Sequence, residues 1–218
     1  MRILHLAAAV ACAGFVSMGQ ALAAPIPTLF ATGVDASGNP LSGGSIDPHY
    51  TVSGGNAYVI GSPASVGWVG NTPESSWISN ITNTYGGPGP FTYTTTFDLT
   101  GFNPATAMIT GQMAADDQAV IYLNGVDVFD GSLDASHPWS FLETLSITSG
   151  FVGGLNTLEI AIPNYIEYGN DGPTGLQLDI AGTADPVAVR NPGVPEPATI
   201  ALLGVGLAGF GALRRRRK

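Results

Sequence analysis

Residues 24–184 predict an all-β domain, a β-sandwich or jelly roll, on three observations. Apolar and polar residues alternate with period two in several short runs, the pattern of an antiparallel sheet that buries one face. Asn124-Gly125 stands between β-formers and predicts a two-residue type I′ hairpin, because both residues tolerate φ > 0. No stretch sustains a 3.6-residue period. Gly and Pro, 30 and 16 in the chain, punctuate the region as short strands and many turns require.

Taken in order, the strand-like runs are 57–60, 66–69, 91–99, 105–113, 119–123, 126–129, 141–147, 157–162 and 176–180. The first two are short apolar runs, and 66–69 carries Trp68. Segment 91–99 is rich in Thr and aromatic residues, the side chains that suit a pleated surface. Segments 119–123 and 126–129 flank Asn124-Gly125. In 157–162, Leu158, Ile160 and Ile162 point one way while Thr157, Glu159 and Ala161 point the other. In 176–180, Leu176, Leu178 and Ile180 oppose Gln177 and Asp179 in the same manner. Residues 185–193 contain Pro, lack patterning and read as a linker.

All 16 acids fall within residues 24–197, where Arg190 is the single base, so this segment carries a formal charge of −15. Phosphate backbones and anionic lipids repel such a surface, which excludes nucleic acid as a partner. Neutral glycans, divalent cations and cationic partners remain. The one cysteine, Cys12, precedes this segment, so neither a disulfide framework nor a thiolate metal site is available to it. His49 and His137 each adjoin a proline in what reads as a loop. No Gly-x-Ser-x-Gly elbow, His-x-x-x-His pair or phosphate-binding loop accompanies them. Glycosidase chemistry needs two carboxylates about 5–10 Å apart, and no pair among these acids stands out. The chain reads as non-enzymatic.

Two local features carry binding chemistry. Asp116-Asp117, one strand before the hairpin and followed by Asp127, Asp130 and Asp134, offers hard oxygen ligands for calcium, with no EF-hand spacing. The same pair also reads as a turn whose carboxylates cap backbone N–H groups. The second feature is aromatic. Trp139, in His137-Pro138-Trp139, and Tyr165 with Tyr168, near Asn164 and Asn170, lie in loops. There a ring can stack on a sugar while amides bind its hydroxyls. Trp68 and Trp77 sit in patterned segments and read as core, and loop rings can equally plug the end of a sandwich.

A longer order is recognisable. Thr28-Leu29-Phe30 leads to Gly33-Val34-Asp35 and to Gly43-Gly44-Ser45-Ile46-Asp47-Pro48-His49-Tyr50. Ser76-Trp77-Ile78 and Tyr93-Thr94-Thr95-Thr96-Phe97-Asp98-Leu99 follow. Next come Ile109-Thr110-Gly111, Ala114-Ala115-Asp116-Asp117 and Ile121-Tyr122-Leu123-Asn124-Gly125. Gly154-Leu155-Asn156-Thr157-Leu158 and Gly172-Pro173-Thr174-Gly175-Leu176 close it. This order resembles the galactose-binding-like jelly-roll β-sandwich over about 150 residues. The resemblance implies a fold that hosts carbohydrate-binding modules, adhesion domains and structural spacers, and by itself it does not choose among them.

Both ends read as targeting segments. Met1-Arg2, an apolar run 3–18 and Ala21-Leu22-Ala23 compose a signal peptide, 1–23, cut after Ala23 by signal peptidase after Sec export. At the other end Val194-Pro195-Glu196-Pro197 precedes the apolar run 198–213 and the cations Arg214, Arg215, Arg216, Arg217 and Lys218. The two prolines hold the backbone extended and free of ladder bonds. The 16 apolar residues would reach about 24 Å as a helix at ~1.5 Å per residue, a short transmembrane helix with its cations cytoplasmic. These residues, 194–218, closely resemble the PEP-CTERM sorting signal of Gram-negative bacteria that make exopolysaccharide. That resemblance implies an exosortase as processing partner, transient anchoring in the inner membrane, and release to the outer surface or matrix. The expected function is therefore a polysaccharide-associated binding module. A structural or adhesive envelope component without a small ligand is the alternative, and a secreted hydrolase comes last.

Overall fold

The computed structural model describes residues 22–128, 137–164, 166–167, 170–187 and 202–207, with side chains left undescribed at 166–167 and 170–171. Two compact units compose the chain: Leu22–Val187, and a second formed by Met1–Ala21 and Ala188–Lys218. Of the second, residues 202–207 are described, and they are helical. Among the described residues no helix is long and apolar enough to cross a membrane. The signal-peptide core, the Pro-Glu-Pro element and the terminal cations lie outside the described residues.

The first unit is all-β, as the alternation predicts. In chain order its strands are β1 (Ala24–Pro25), β2 (Ile46–Val52), β3 (Gly55–Val59), β4 (Ile78–Ser79), β5 (Phe91–Asp98), β6 (Met108–Asp116) and β7 (Val120–Leu123). Then come β8 (Val126–Asp127), β9 (Glu143–Ile147), β10 (Leu155–Ile162), β11 (Ile166–Glu167), β12 (Asn170–Asp171) and β13 (Gly175–Ala184). Antiparallel pairing runs β8-β7-β10-β5-β2-β3-β4-β13-β6-β9, with β1 on β13 and β11–β12 as a separate ribbon. Inward side chains from both halves of this path meet in one buried cluster. Tyr93, Phe97, Ile121, Leu158 and Ile160 come from one half, and Ile109, Met113, Leu145, Ile147 and Leu178 from the other. The strip therefore doubles over, and its two halves enclose a single core as a sandwich.

Several local expectations hold. Asn124 and Gly125 have φ of 54° and 77°, and Leu123 pairs with Val126 across them. Leu158, Ile160 and Ile162 are buried, while Thr157, Glu159 and Ala161 between them are half-exposed.

Others do not hold. Residues 66–69 form no strand: Pro63–Val66 is a 3-10 turn ended by Gly67 at φ 82°, and Trp68 then turns inward. The run 105–113 begins late, because Asn103 caps a 3-10 turn at Pro104–Thr106, and β6 continues to Asp116. Gln177 faces away from the main core, as the alternation expects, yet is buried rather than solvent-exposed, its amide donating to Ser75 Oγ at 3.0 Å. Segment 60–77 covers that part of the sheet's outer face.

His49 lies in a strand and not a loop. β2 passes unread in the sequence because it contains Asp47-Pro48. The structure accommodates the proline in a register irregularity between Ile46 and Thr51, where a missing N–H breaks no ladder bond. The Asp47 carboxylate accepts the N–H groups of Gly33, His49 and Tyr50 at 2.6, 2.7 and 3.1 Å. Residues 185–187, read as linker, are tied to the body, with Asn103 N donating to Asp185 O and Val187 N to Gly101 O, each at 2.8 Å.

Candidate functional site

At one end of the sandwich a second, smaller apolar cluster covers the outer face of β6 and β13. Ile60, Trp68, Trp77 and Ala114 are its buried members, with Val66, Val69, Trp139 and Leu142 packed against it. The two indoles stack with centroids 4.1 Å apart. Gly175 makes room for them, since a Cβ there would stand 2.6 Å from Trp68 Cη2 and 2.8 Å from Cζ3. Gly175 pairs in register with Asp116, the last residue of β6. The Trp68 indole N–H crosses to this neighbour and donates to Asp116 Oδ2 at 2.6 Å. The donor here is an indole from a distant segment, and Asp116 ends a strand, whereas the turn reading of the sequence expected a backbone N–H.

Further bonds fix the rim. Trp77 Nε1 donates to Val69 O at 2.8 Å, and Val69 N donates to Trp139 O at 2.8 Å. Ala115 N donates to Pro138 O at 3.3 Å, which holds the Pro138-Trp139 segment against the end of β6. His137 meets the Trp139 ring edge-on at 5.5 Å.

Above this floor opens a cavity of about 180 Å³ lined by Val66, Asp116, Asp117, Trp139, Asn164, Gly172 and Pro173. It unites residues that the sequence presents as separate features: the acidic pair, the loop aromatic Trp139, and Asn164, which the sequence places beside Tyr165 and Tyr168. Asp116 is buried, while Asp117 and Trp139 are half-exposed. Asn164, 4% exposed, holds φ at 43° and donates Nδ2 to Gly87 O at 2.6 Å. Its Oδ1 is buried without a hydrogen-bond partner. Beneath the site Tyr93 is fully buried. Desolvation, reinforced by the charge of Asp116, pushes its phenol well above the usual range.

Of the remaining sequence candidates, Tyr165 and Tyr168 lie outside the described residues, and Asn170 is placed in β12 without a described side chain. Val194, Pro195, Glu196, Pro197 and Arg214 to Arg217 also lie outside them. Asp116 and Asp117 supply two carboxylates. Among the described residues no group of three or more His, Cys, Asp or Glu stands close enough to hold a metal ion. Sequence reasoning missed Val66, Gly172 and Pro173 as lining. Gly172-Pro173, one residue short of β13, is the one local signal that could have marked them.

No curated protein sequence matches the chain. Among solved structures it is similar to a family 35 carbohydrate-binding module from Paenibacillus barcinonensis, at 18% identity over 65% of this chain and 94% of that one, with a TM-score of 0.35. A family 35 carbohydrate-binding module from an environmental isolate is similar at 13% identity over 74% and 99% of the two chains, with a TM-score of 0.31. A GH31 alpha-xylosidase from Xanthomonas citri matches at 13% identity over 75% of this chain and 18% of that one, with a TM-score of 0.21. These scores are low and assign no ligand. Residues 193–217 match the PEP-CTERM protein-sorting motif. The chain therefore ends in a PEP-CTERM sorting signal.

Proposed function

We propose that the protein is an exported, exosortase-processed and non-catalytic module that associates with extracellular polysaccharide through the cavity at Asp116, Asp117, Trp139 and Asn164. One observation carries this reading: the acidic pair, Trp139 and Asn164, distant in sequence, line the same cavity. The Trp139 ring offers an apolar face to pyranose C–H groups, while the carboxylates accept hydroxyl protons. At about 180 Å³ the cavity is smaller than the ~300–1,000 Å³ of drug-sized sites, so it suits one sugar unit of a chain. The floor is built from stacked indoles and a strand pair, which preorganises the lining and limits the entropy lost on binding.

The sorting signal supplies the setting. After signal-peptide removal the chain would stay briefly in the inner membrane, lose its apolar tail and basic end to the exosortase, and reach the outer surface or matrix. Intact-mass measurement on protein from the native host checks the processing: residues 214–218 should be absent from the mature pool.

A glycan array probed with the full chain tests the binding. One class of glycans should be retained, and Trp139→Ala should weaken retention tenfold or more, about 1.4 kcal/mol. Retention of no glycan would favour an adhesive or structural envelope component instead.

A further inference from the structure

The unit Leu22–Val187 holds 15 of the chain's 16 acids, Glu196 being the exception, and none of its 7 Lys and Arg. No Lys or Arg ion pair can form inside such a body. His49 and His137 are its only cationisable side chains. His49 is stacked on Phe30 with centroids 3.7 Å apart, and His137 lies T-shaped against Trp139. The unit thus supplies no Lys or Arg counter-charge for its own acidic surface, which favours cationic ligands over anionic ones.

The cavity makes that demand selective. Its side-chain lining is biased towards acceptors. Asp116 and Asp117 bring two carboxylates, against the single indole N–H of Trp139. Asn164 uses its Nδ2 on Gly87 O and keeps a buried Oδ1 without a hydrogen-bond partner. A sugar hydroxyl brings one donor together with lone pairs that also need satisfying. An ammonium brings three donors and no acceptor, which matches this lining better. The half-exposed Trp139 face adds the attraction of an aromatic ring for a cation. A uronic-acid carboxylate would instead meet two like charges.

We infer that the cavity selects the protonated amino group of an amino sugar, so that the polysaccharide it takes is at least partly de-N-acetylated and cationic. This inference rests on the glycan reading of the cavity and narrows it to one ligand chemistry. The groups that face the bound amine are Asp116 and Asp117, with Tyr93 beneath Asp116 and His137 beside Trp139.

The test is calorimetric titration of the full chain, in a chelator and about 0.15 M salt, with a glucosamine oligomer and with its fully N-acetylated counterpart of equal length. The glucosamine oligomer should bind at least tenfold more tightly. That preference should collapse in Asp117→Asn, with folding verified by thermal melting. In the wild type it should also fade as pH rises past the range of an aliphatic amine such as the α-amino group, about 7.7–8.0. The pH arm needs no variant and stands if Asp117→Asn fails to fold. Equal affinity for the two oligomers, or binding of neither, would overturn the amine inference, while the glycan reading stands or falls on the array. A preference for glucosamine unchanged in Asp117→Asn and Trp139→Ala would place the attraction on the acidic surface at large and overturn the site assignment.

Discussion

Gly175 controls the floor of the cavity. A Cβ at this position would overlap the Trp68 ring and stand 3.1 Å from Trp77 Cε3. Gly175→Ala should displace the indole from Asp116 and cost about 1–3 kcal/mol, as overpacking does. Near-UV circular dichroism and a urea melt together check this, and a variant silent in both would contradict the packing under the site. Nothing in the local sequence singles out Gly175, because the ring it accommodates lies more than a hundred residues earlier. Asp47 shows a similar long reach. Burial pushes its carboxyl above the usual range despite three N–H donors, and burial with the nearby Glu74 does the same to Asp179. A raised acid binds its proton more tightly in the folded state, so stability rises as pH falls from neutral towards about 4. Asp35 and Asp98 are held below the usual range by bonds led by those from the Asn39 and Thr100 side chains. Their stabilising contribution is present above about 3.8 and is lost below it. The melting temperature should therefore peak on the acid side of neutral, and a steady fall from pH 8 downward would contradict this.

At the scale of elements, legibility followed the chemistry of the backbone. β10 could be read because its period-two pattern buries Leu158, Ile160 and Ile162 while leaving Glu159 half-exposed opposite Thr94 and Tyr122. The β7–β8 hairpin could be read because its turn needs two positive φ values, and Asn124-Gly125 supplies them. β2 could not be read, since its proline is tolerated only where the partner strand shifts register. Residues 66–69 misled because apolar residues that plug one end of the sandwich look like residues that line a sheet. Leu158→Asp should cost at least about 3 kcal/mol, placing an unpaired charge in the core. Glu159→Gln should change stability by less than about 0.5 kcal/mol, as at an ordinary surface position. Urea melts of both variants decide this; equal destabilisation would contradict the alternation on which the sandwich rests.

For the whole molecule, composition gives the charge and the terminal motif marks the chain for sorting, but neither tells which loops meet. Asp116, Trp139 and Asn164 converge because β6 pairs with β13 in one register and the 137–140 segment bonds to the end of β6. That order is set by strand pairing across the chain and leaves no local trace. The acidic body should gain stability from any salt through screening. Calcium is the alternative cation for Asp116 and Asp117, and it should raise the melting temperature beyond sodium chloride of equal ionic strength. Equal shifts would leave screening as the whole effect. An amide chemical-shift map of the full chain titrated with the best glycan from the array decides whether the cavity is where glycan binds. Binding there should cluster the shifts at 66, 116–117, 139, 164 and 172. Shifts confined to the outer face of β5, at Thr92, Thr94 and Thr96, would contradict it.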